Sequence, residues 1–568
     1  MSQVVQKTYV YPEFTYKISD EQKSGVLKRH PVVIIGAGPI GLTAALDCAQ
    51  RGIPVVLIDD NNTVSIGSRA VCYAKRPLEI WDRLGVAQPM VDKGVSWQVG
   101  KVFLRDEKVY QFDLLPEPAH KMPAMINLQQ YYLEEVLVKA CEEHPLVDLR
   151  WKHKLISLQP GAPLADLPAA LTLETPDGVF DMQADWVIAC DGANSDTRRM
   201  VGAGFTGKFF HDRFLIADVV MKADFPTERW FWFDPPFHRG QSVLLHKQSD
   251  NVWRIDFQLG WDADPELEKQ PERVILRIQA MLGADAKFEL EWVSVYQFAC
   301  RRVDNFRYGR VLFAGDAAHQ VSPFGARGAN TGVQDTDNLA WKLKLVLDGL
   351  APASLMDSYH EERAFAADDN LLNSTRSTDF ITPKNQASLR YRNAVLDLAK
   401  SESFARPLVN SGRLSTPTPY LHSSLNTPDD GTEFFAGKMC PGTNCADAPV
   451  RFNGENTWLL SVLNGIAGQY QTSASVFVLL SFGNSTSQEA HSKLKLLLPK
   501  GVDAPILQIG SETLIDVEQK LMERYDGQTG TVYLIRPDQH VAARWRSFDA
   551  EKIARAIKRC MGLIEASL

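Results

Sequence analysis

The chain has 568 residues, 45% of them hydrophobic and 23% charged, with a formal net charge of −8. That is enough apolar material for about two to four structural units, and the acidic balance without any basic run argues against a nucleic-acid or anionic-membrane surface. No apolar stretch approaches the roughly 18 residues of a membrane span, and the N-terminal segment lacks the apolar core of a secretory signal.

Eight cysteines without a CxxC pair read as reduced thiols in a cytoplasmic protein. Twelve histidines without an HExxH motif or a Cys/His cluster imply no metal. Residues 1–30 read as an N-terminal extension. Val32-Val33-Ile34-Ile35 is an apolar run suited to a strand buried on both faces. Gly36-Ala37-Gly38-Pro39-Ile40-Gly41 follows, a GxGxxG turn. Leu42, Ala45, Leu46 and Ala49 then recur at helical spacing, Gly52 closes the helix, and Val55-Val56-Leu57-Ile58 forms the next strand. This strand–turn–helix context predicts a Rossmann-like dinucleotide site, with the phosphates at the helix N-terminus. Asp59, with Asp60 beside it, ends the second strand in place to accept a ribose diol. A second GxGxxG, residues 202–207, has no strand leading into it and no periodic helix after it, and reads as an ordinary turn.

Trp186-Val187-Ile188-Ala189 and Val311-Leu312-Phe313-Ala314 are two further buried strands, each followed within two positions by an acidic residue. The first leads to Asp191-Gly192-Ala193-Asn194-Ser195. The second leads to Gly315-Asp316-Ala317-Ala318-His319 and then to residues 323–330, which include Pro323, Gly325, Gly328, Ala329 and Asn330 and open a long helix. Between about 205 and 300 the pattern changes to alternation, as in Ser242 to His246 and Val252 to Phe257. That predicts an antiparallel substrate sheet within a domain running from 31 to 400. Residues 401–430 read as a linker and 431–568 as a separate α/β module.

These three ordered motifs resemble the aromatic-hydroxylase group of flavoprotein monooxygenases, the group of p-hydroxybenzoate hydroxylase and phenol hydroxylase. The best likeness is to the 3-(3-hydroxyphenyl)propionate hydroxylase type, over residues 31 to about 380. The resemblance implies an α/β FAD-binding domain of the p-hydroxybenzoate hydroxylase type, an interleaved substrate sheet and a thioredoxin-like C-terminal domain. It implies FAD as cofactor, NADH or NADPH as reductant, and hydroxylation of a small phenolic substrate by dioxygen through a C4a-hydroperoxyflavin. Asp191 would serve both FAD and the nicotinamide, Asp316 the ribityl chain, and Pro323 the bend beside the flavin ring. The backbone from Gly325 to Asn330 would face the ring's N1–C2=O edge. Arg69 and Gln130 match the family's remaining cofactor contacts. The C-terminal domain is expected to be structural and to cover the interface of a homodimer.

The catalytic base is not fixed by any motif, because Val71 stands where some relatives place an aspartate. The antiparallel segment offers His246, Arg254, Asp256 and Gln258. His246 is read as a proton acceptor and, with Arg254 and Pro323, as the catalytic set. Trp230, Trp232, Phe233 and Phe237 are read as an aromatic wall. Arg254 and Asp256 also suit a solvent-exposed charge pair. Two other functions stay open: a polyketide-type tailoring flavin oxygenase and a non-catalytic flavin-binding scaffold.

Overall fold

A computed structural model describes residues 6–409, 414–469, 476–483 and 488–564. The expected N-terminal extension, linker and C-terminal module each reach outside these ranges, at 1–5, at 410–413, and at 470–475, 484–487 and 565–568.

In chain order, β1 (Arg29–Ile35), α1 (Pro39–Gln50) and β2 (Val55–Asp59) come first. Then come β3 (Val99–Leu104), β4 (Glu107–Asp113), α2 (Gln130–Glu143) and β5 (Val147–Trp151). The long strand β6 (Gly178–Ala189) leads into the short helix α3 (Asp196–Met200). Five strands follow: β7 (Arg213–Met221), β8 (Arg229–Phe233), β9 (Ser242–Lys247), β10 (Val252–Leu259) and β11 (Phe288–Tyr296). Next are β12 (Val311–Phe313), α4 (Gly328–Leu347) and α5 (Asp357–Ile381).

The order β12–β6–β1–β2–β5 forms a parallel sheet. Val32, Val33 and Ile34 of β1 are fully buried, as a strand covered on both faces must be. The order matters for function. β12, β6 and β1 are neighbours pointing the same way, so the loops that leave their C-terminal ends converge at one crevice.

The second sheet runs β11–β7–β10–β9–β8–β3–β4. It is larger than the expected 205–300 segment, because β8 pairs in parallel with β3 from the first third of the chain. Lys101, Glu107 and Lys108 break the apolar alternation of β3 and β4, so the pattern there is weak. Alternation along this sheet divides it into two faces. Leu215, Ala217, Val243, Leu245, Ile255 and Phe257 form an apolar layer on one face. Trp230, Trp232 and Phe237 belong to that same layer, and Phe233 packs in another cluster with Phe380. The expected aromatic wall is therefore core packing. Arg254 and Asp256 face the other way and are buried, which removes the reading of a solvent-exposed pair.

The C-terminal residues form a seven-stranded sheet in the order β14 (Glu455–Trp458), β13 (Pro449–Phe452), β17 (Leu514–Asp516), β16 (Ile506–Ile509), β15 (Val478–Phe482), β18 (Val532–Ile535) and β19 (Val541–Trp545), with α6 (Ala550–Cys560) packed alongside. Its core is continuous with one face of α4. Trp341 and Leu345 point into the C-terminal core, while Leu339 and Leu343 point into the parallel-sheet core. Buried charges also join the two: Glu362 on α5 accepts from Lys342 at 2.7 Å and from Arg536 at 2.5 Å. The stretch before this sheet is anchored as well. Tyr420 accepts from Arg363 at 2.7 Å, and Ser423 donates to Glu362 at 2.6 Å. No helix among the described residues is long and apolar enough to cross a membrane, and all eight cysteines are free thiols.

Candidate functional site

A cavity of about 560 Å³ lies where the loops after β1, β6 and β12 meet the polar face of the second sheet. Two helices begin at it, α1 at Pro39 and α4 at Gly328, and neither N-terminus has a side-chain cap. Their first N–H groups are left for a ligand, and both helix dipoles favour negative charge there. Asp191 shows the contrast. It accepts from Ser195 Oγ at 2.6 Å and from the Thr197 N–H at 2.9 Å, closing the start of α3. Its carboxylate does not line the cavity, although the neighbouring Gly192 and Ala193 do.

The glycine turn is shaped by close approach. Gly36 has φ +99°, and a Cβ there would lie 2.6 Å from the Cys190 carbonyl oxygen. A Cβ on Gly41 would lie 1.8 Å from the Gly36 carbonyl oxygen. Neither glycine lines the cavity; Gly38, Pro39 and Ile40 do, and a Cβ on Gly38 would meet nothing within 4 Å. Asp59 supports the same turn. It accepts from the Ala37 N–H at 2.6 Å and from the Asn61 N–H at 2.8 Å, while burial pushes its carboxyl up. It braces the loop and does not line the cavity; Asp60 is exposed to solvent.

Arg69, Gln130, Asp316, Pro323, Gly328, Ala329 and Asn330 all line the cavity. Gln130 accepts from the Ala70 N–H at 3.0 Å and donates to Ser65 and Glu134, so it also fixes the turn that carries Arg69. Desolvation pushes the Asp316 carboxyl up, against the pull of His319 and Arg69. The loop that carries Asp316 is held from behind: Asp335 accepts from the Gly315 N–H at 2.9 Å, His319 at 2.7 Å and Arg363 at 2.6 Å. The Asn330 side chain bonds Ala74 N, Cys72 O and Ala326 O, and its carbonyl accepts from Gln334, so what it offers a ligand is its backbone N–H in the first turn of α4. Gly325 does not line the cavity, and a Cβ there would strike the Arg327 guanidinium.

The opposite wall is the polar face of the second sheet. Across it, Trp292, Asp218, Arg254 and His246 stand opposite one another on β11, β7, β10 and β9. One pleat along, Ser294, Ile216, Asp256 and Leu244 repeat the row. Arg254 is fully engaged. It bonds Asp218 at 2.9 Å, the Arg69 carbonyl at 3.2 Å and both oxygens of Ser68. The Asp218 carboxylate keeps it charged against the cost of burial. Arg254 therefore pins the 68–69 turn to the sheet and has no role as a proton carrier. Burial, with Arg229 and Arg254 nearby, holds His246 well below the ordinary imidazole range, so it stays neutral and is a poor base. Asp256 is another acid–base group on this face, and it lines the cavity. Burial pushes its carboxyl up to about 6, while Arg254 and Arg229 pull it down. Gln258 bonds the Ser242 N–H and does not line the cavity.

Arg229, Trp292, Ser294, Tyr296 and Phe298 line the cavity and were not singled out from sequence. The signal was present. Trp292, Ser294 and Tyr296 recur at period two on one strand, in the face that Arg254 and Asp256 define.

A family model described as "FAD binding domain" matches residues 29–374. The chain is 32% identical over 385 residues to 6-methylpretetramide 4-monooxygenase of Streptomyces rimosus, a match covering 65% of this chain and 64% of that one. It is 26% identical over 363 residues to the 3-(3-hydroxy-phenyl)propionate/3-hydroxycinnamic acid hydroxylase of Mycolicibacterium smegmatis, covering 63% of each. Both matches span less than two thirds of the relative's length. In fold, the chain is similar to the flavin-dependent monooxygenase PieE, solved with FAD and substrate, at a TM-score of 0.79 and 21% identity over 94% of this chain and 99% of that one.

Proposed function

The chain belongs to the FAD-binding-domain family, and from that membership we propose that it is an FAD-dependent monooxygenase hydroxylating a phenolic aromatic compound with NADH or NADPH and dioxygen. One observation carries the reading. A single cavity joins two uncapped helix N-termini on one side to a buried acid, Asp256, on the other. The residues fit FAD. The N-terminus of α1 takes the pyrophosphate, Asp316 the ribityl chain, and the N-terminus of α4 the electron-rich edge of the ring. Bound there and reduced by the nicotinamide, FAD supplies oxygen activation and transfer of a hydroxyl group.

The chain's own residues prepare the substrate. Asp256, ionised above about pH 6, takes the phenol proton and leaves the ring electron-rich. Arg229 and Arg254 offset the resulting negative charge. Trp292, Tyr296 and Phe298 provide the apolar contact for the ring and keep water from it.

The same chemistry on a polycyclic, polyketide-type ring is the second reading, supported by the 32% identity to 6-methylpretetramide 4-monooxygenase. We read the C-terminal module as thioredoxin-like, a reading supported by its strand order β16–β15–β18–β19 with α6 alongside. Cys440 and Cys445 lack CxxC spacing, and burial pushes the Cys445 thiol up to about 12, so this module serves as structural backing for α4 in a cytoplasmic enzyme. The test is to load the purified protein with FAD and add NADH or NADPH with a panel of phenols and polycyclic hydroxyketones. Substrate-dependent nicotinamide oxidation must come with hydroxylated product. Oxidation yielding only peroxide, or a protein that takes up no FAD, refutes the reading.

A further inference from the structure

Three buried polar groups on the second sheet face the cavity with unmet hydrogen-bonding capacity: among the described residues His246 and Asp256 have no hydrogen-bond partner, and Arg229 has only a thiol. His246 is 1% exposed, and neither ring nitrogen is bonded. Arg229 is 4% exposed; its Nε is unbonded and its Nη1 reaches only the Cys72 thiol, at 3.1 Å, a weak acceptor. Asp256 is 6% exposed and accepts no hydrogen bond. Arg254, in the same row as His246, is fully bonded, so lack of partners is not general to this face. Buried groups of this kind carry a desolvation penalty that a ligand relieves.

Their placement defines what the ligand must offer. Trp230 pairs with Leu245, so Arg229 and His246 lie side by side at one end of the polar face. Asp256 lies two strands from Arg229 and one pleat along, a backbone separation of roughly 12 Å. One end therefore presents donors and the other an acceptor, with the width of a substituted ring between them. The geometry points to a substrate whose aromatic region carries two oxygen functions at separate ring positions: a hydroxyl that donates to Asp256, and a carbonyl or carboxylate oxygen that accepts from Arg229 and His246. Arg229 and His246 thereby set specificity against simple alkylphenols. This rests on the hydroxylase reading above and narrows its substrate class.

The test uses the oxidised, FAD-loaded protein titrated with 3-hydroxybenzoate, 3-hydroxyacetophenone and 3-methylphenol, with binding read from the flavin absorbance change. At least one oxygenated probe is expected to bind about 10-fold or more tightly than 3-methylphenol. If it is the benzoate alone, the acceptor is a carboxylate; if the ketone binds as well, a carbonyl suffices. Arg229→Met should abolish the preference, bringing the ratio of oxygenated-probe to 3-methylphenol affinity to about one. Arg229→Lys should recover part of it for 3-hydroxybenzoate. His246→Leu carries the same test should Arg229→Met fail to retain FAD. Equal binding of all three probes by the unaltered protein, or a preference that survives both Arg229→Met and His246→Leu, overturns the inference and leaves the hydroxylase reading standing if 3-methylphenol is hydroxylated. A flavin-loaded protein that binds none of the probes overturns the inference, and one that also hydroxylates none of the phenols or polycyclic hydroxyketones overturns both.

Discussion

Replacing Asp256 with asparagine should make the protein more stable and less active at once. The carboxyl is 6% exposed and titrates near 6 in the folded chain, against about 3.9 for an unfolded aspartate. Because the folded value is raised, the ionised form is the one the fold disfavours. Stability is highest when the group is protonated, and it falls as pH rises through the interval from about 4 to 6. At neutral pH the ionised carboxylate costs about 3 kcal/mol of folding free energy, an order-of-magnitude figure. Asparagine has no charge to desolvate, so Asp256→Asn should raise the denaturation midpoint at pH 7.5, and the gain should shrink towards pH 5. The same substitution removes the proton acceptor, and turnover should fall by about 10²- to 10⁴-fold. The native enzyme should lose activity below about pH 6, as the base becomes protonated. The assay pairs urea denaturation by intrinsic fluorescence at both pH values with product formation at saturating phenol. A variant with undiminished turnover, or one less stable than the native protein at pH 7.5, would refute the reasoning.

Two further substitutions probe the rest of the architecture. Gly41→Ala places a Cβ 1.8 Å from the Gly36 carbonyl oxygen, so the turn must shift; FAD content after purification should drop by about tenfold or more, as read from the flavin-to-protein absorbance ratio. Arg536→Met leaves Glu362 and Asp538 buried without their shared guanidinium; about 3–5 kcal/mol of stability should be lost, measured by thermal denaturation. An unchanged midpoint would mean that the C-terminal module does not stabilise α5.

Legibility differed between the two walls of the cavity. The cofactor wall is local in sequence. Each of its parts is a strand followed at once by its loop, so Gly38, Asp316 and Gly328 were named before any fold was known. Even there, roles shifted. Asp59 and Asp191 have the right residue type at the right place, but their oxygens are taken by nearby backbone N–H groups and, at Asp191, by the Ser195 hydroxyl. A free carboxylate and one already bonded look alike in a sequence.

The substrate wall is non-local. Its polar row draws one residue from each of several strands, paired in a register that no single segment encodes. Sequence reading chose His246 and Arg254 by residue type. Only the assembled sheet showed that Asp218 and Ser68 occupy Arg254, that burial keeps His246 neutral, and that Asp256 is the unbonded acid. The sequence by itself determined the chain's strand–loop–helix units and hence its cofactor, because those signals depend on spacing within a few residues. Tertiary structure alone decided which polar groups stay unpaired at the substrate face, because hydrogen bonding and desolvation depend on neighbours that are distant in the chain.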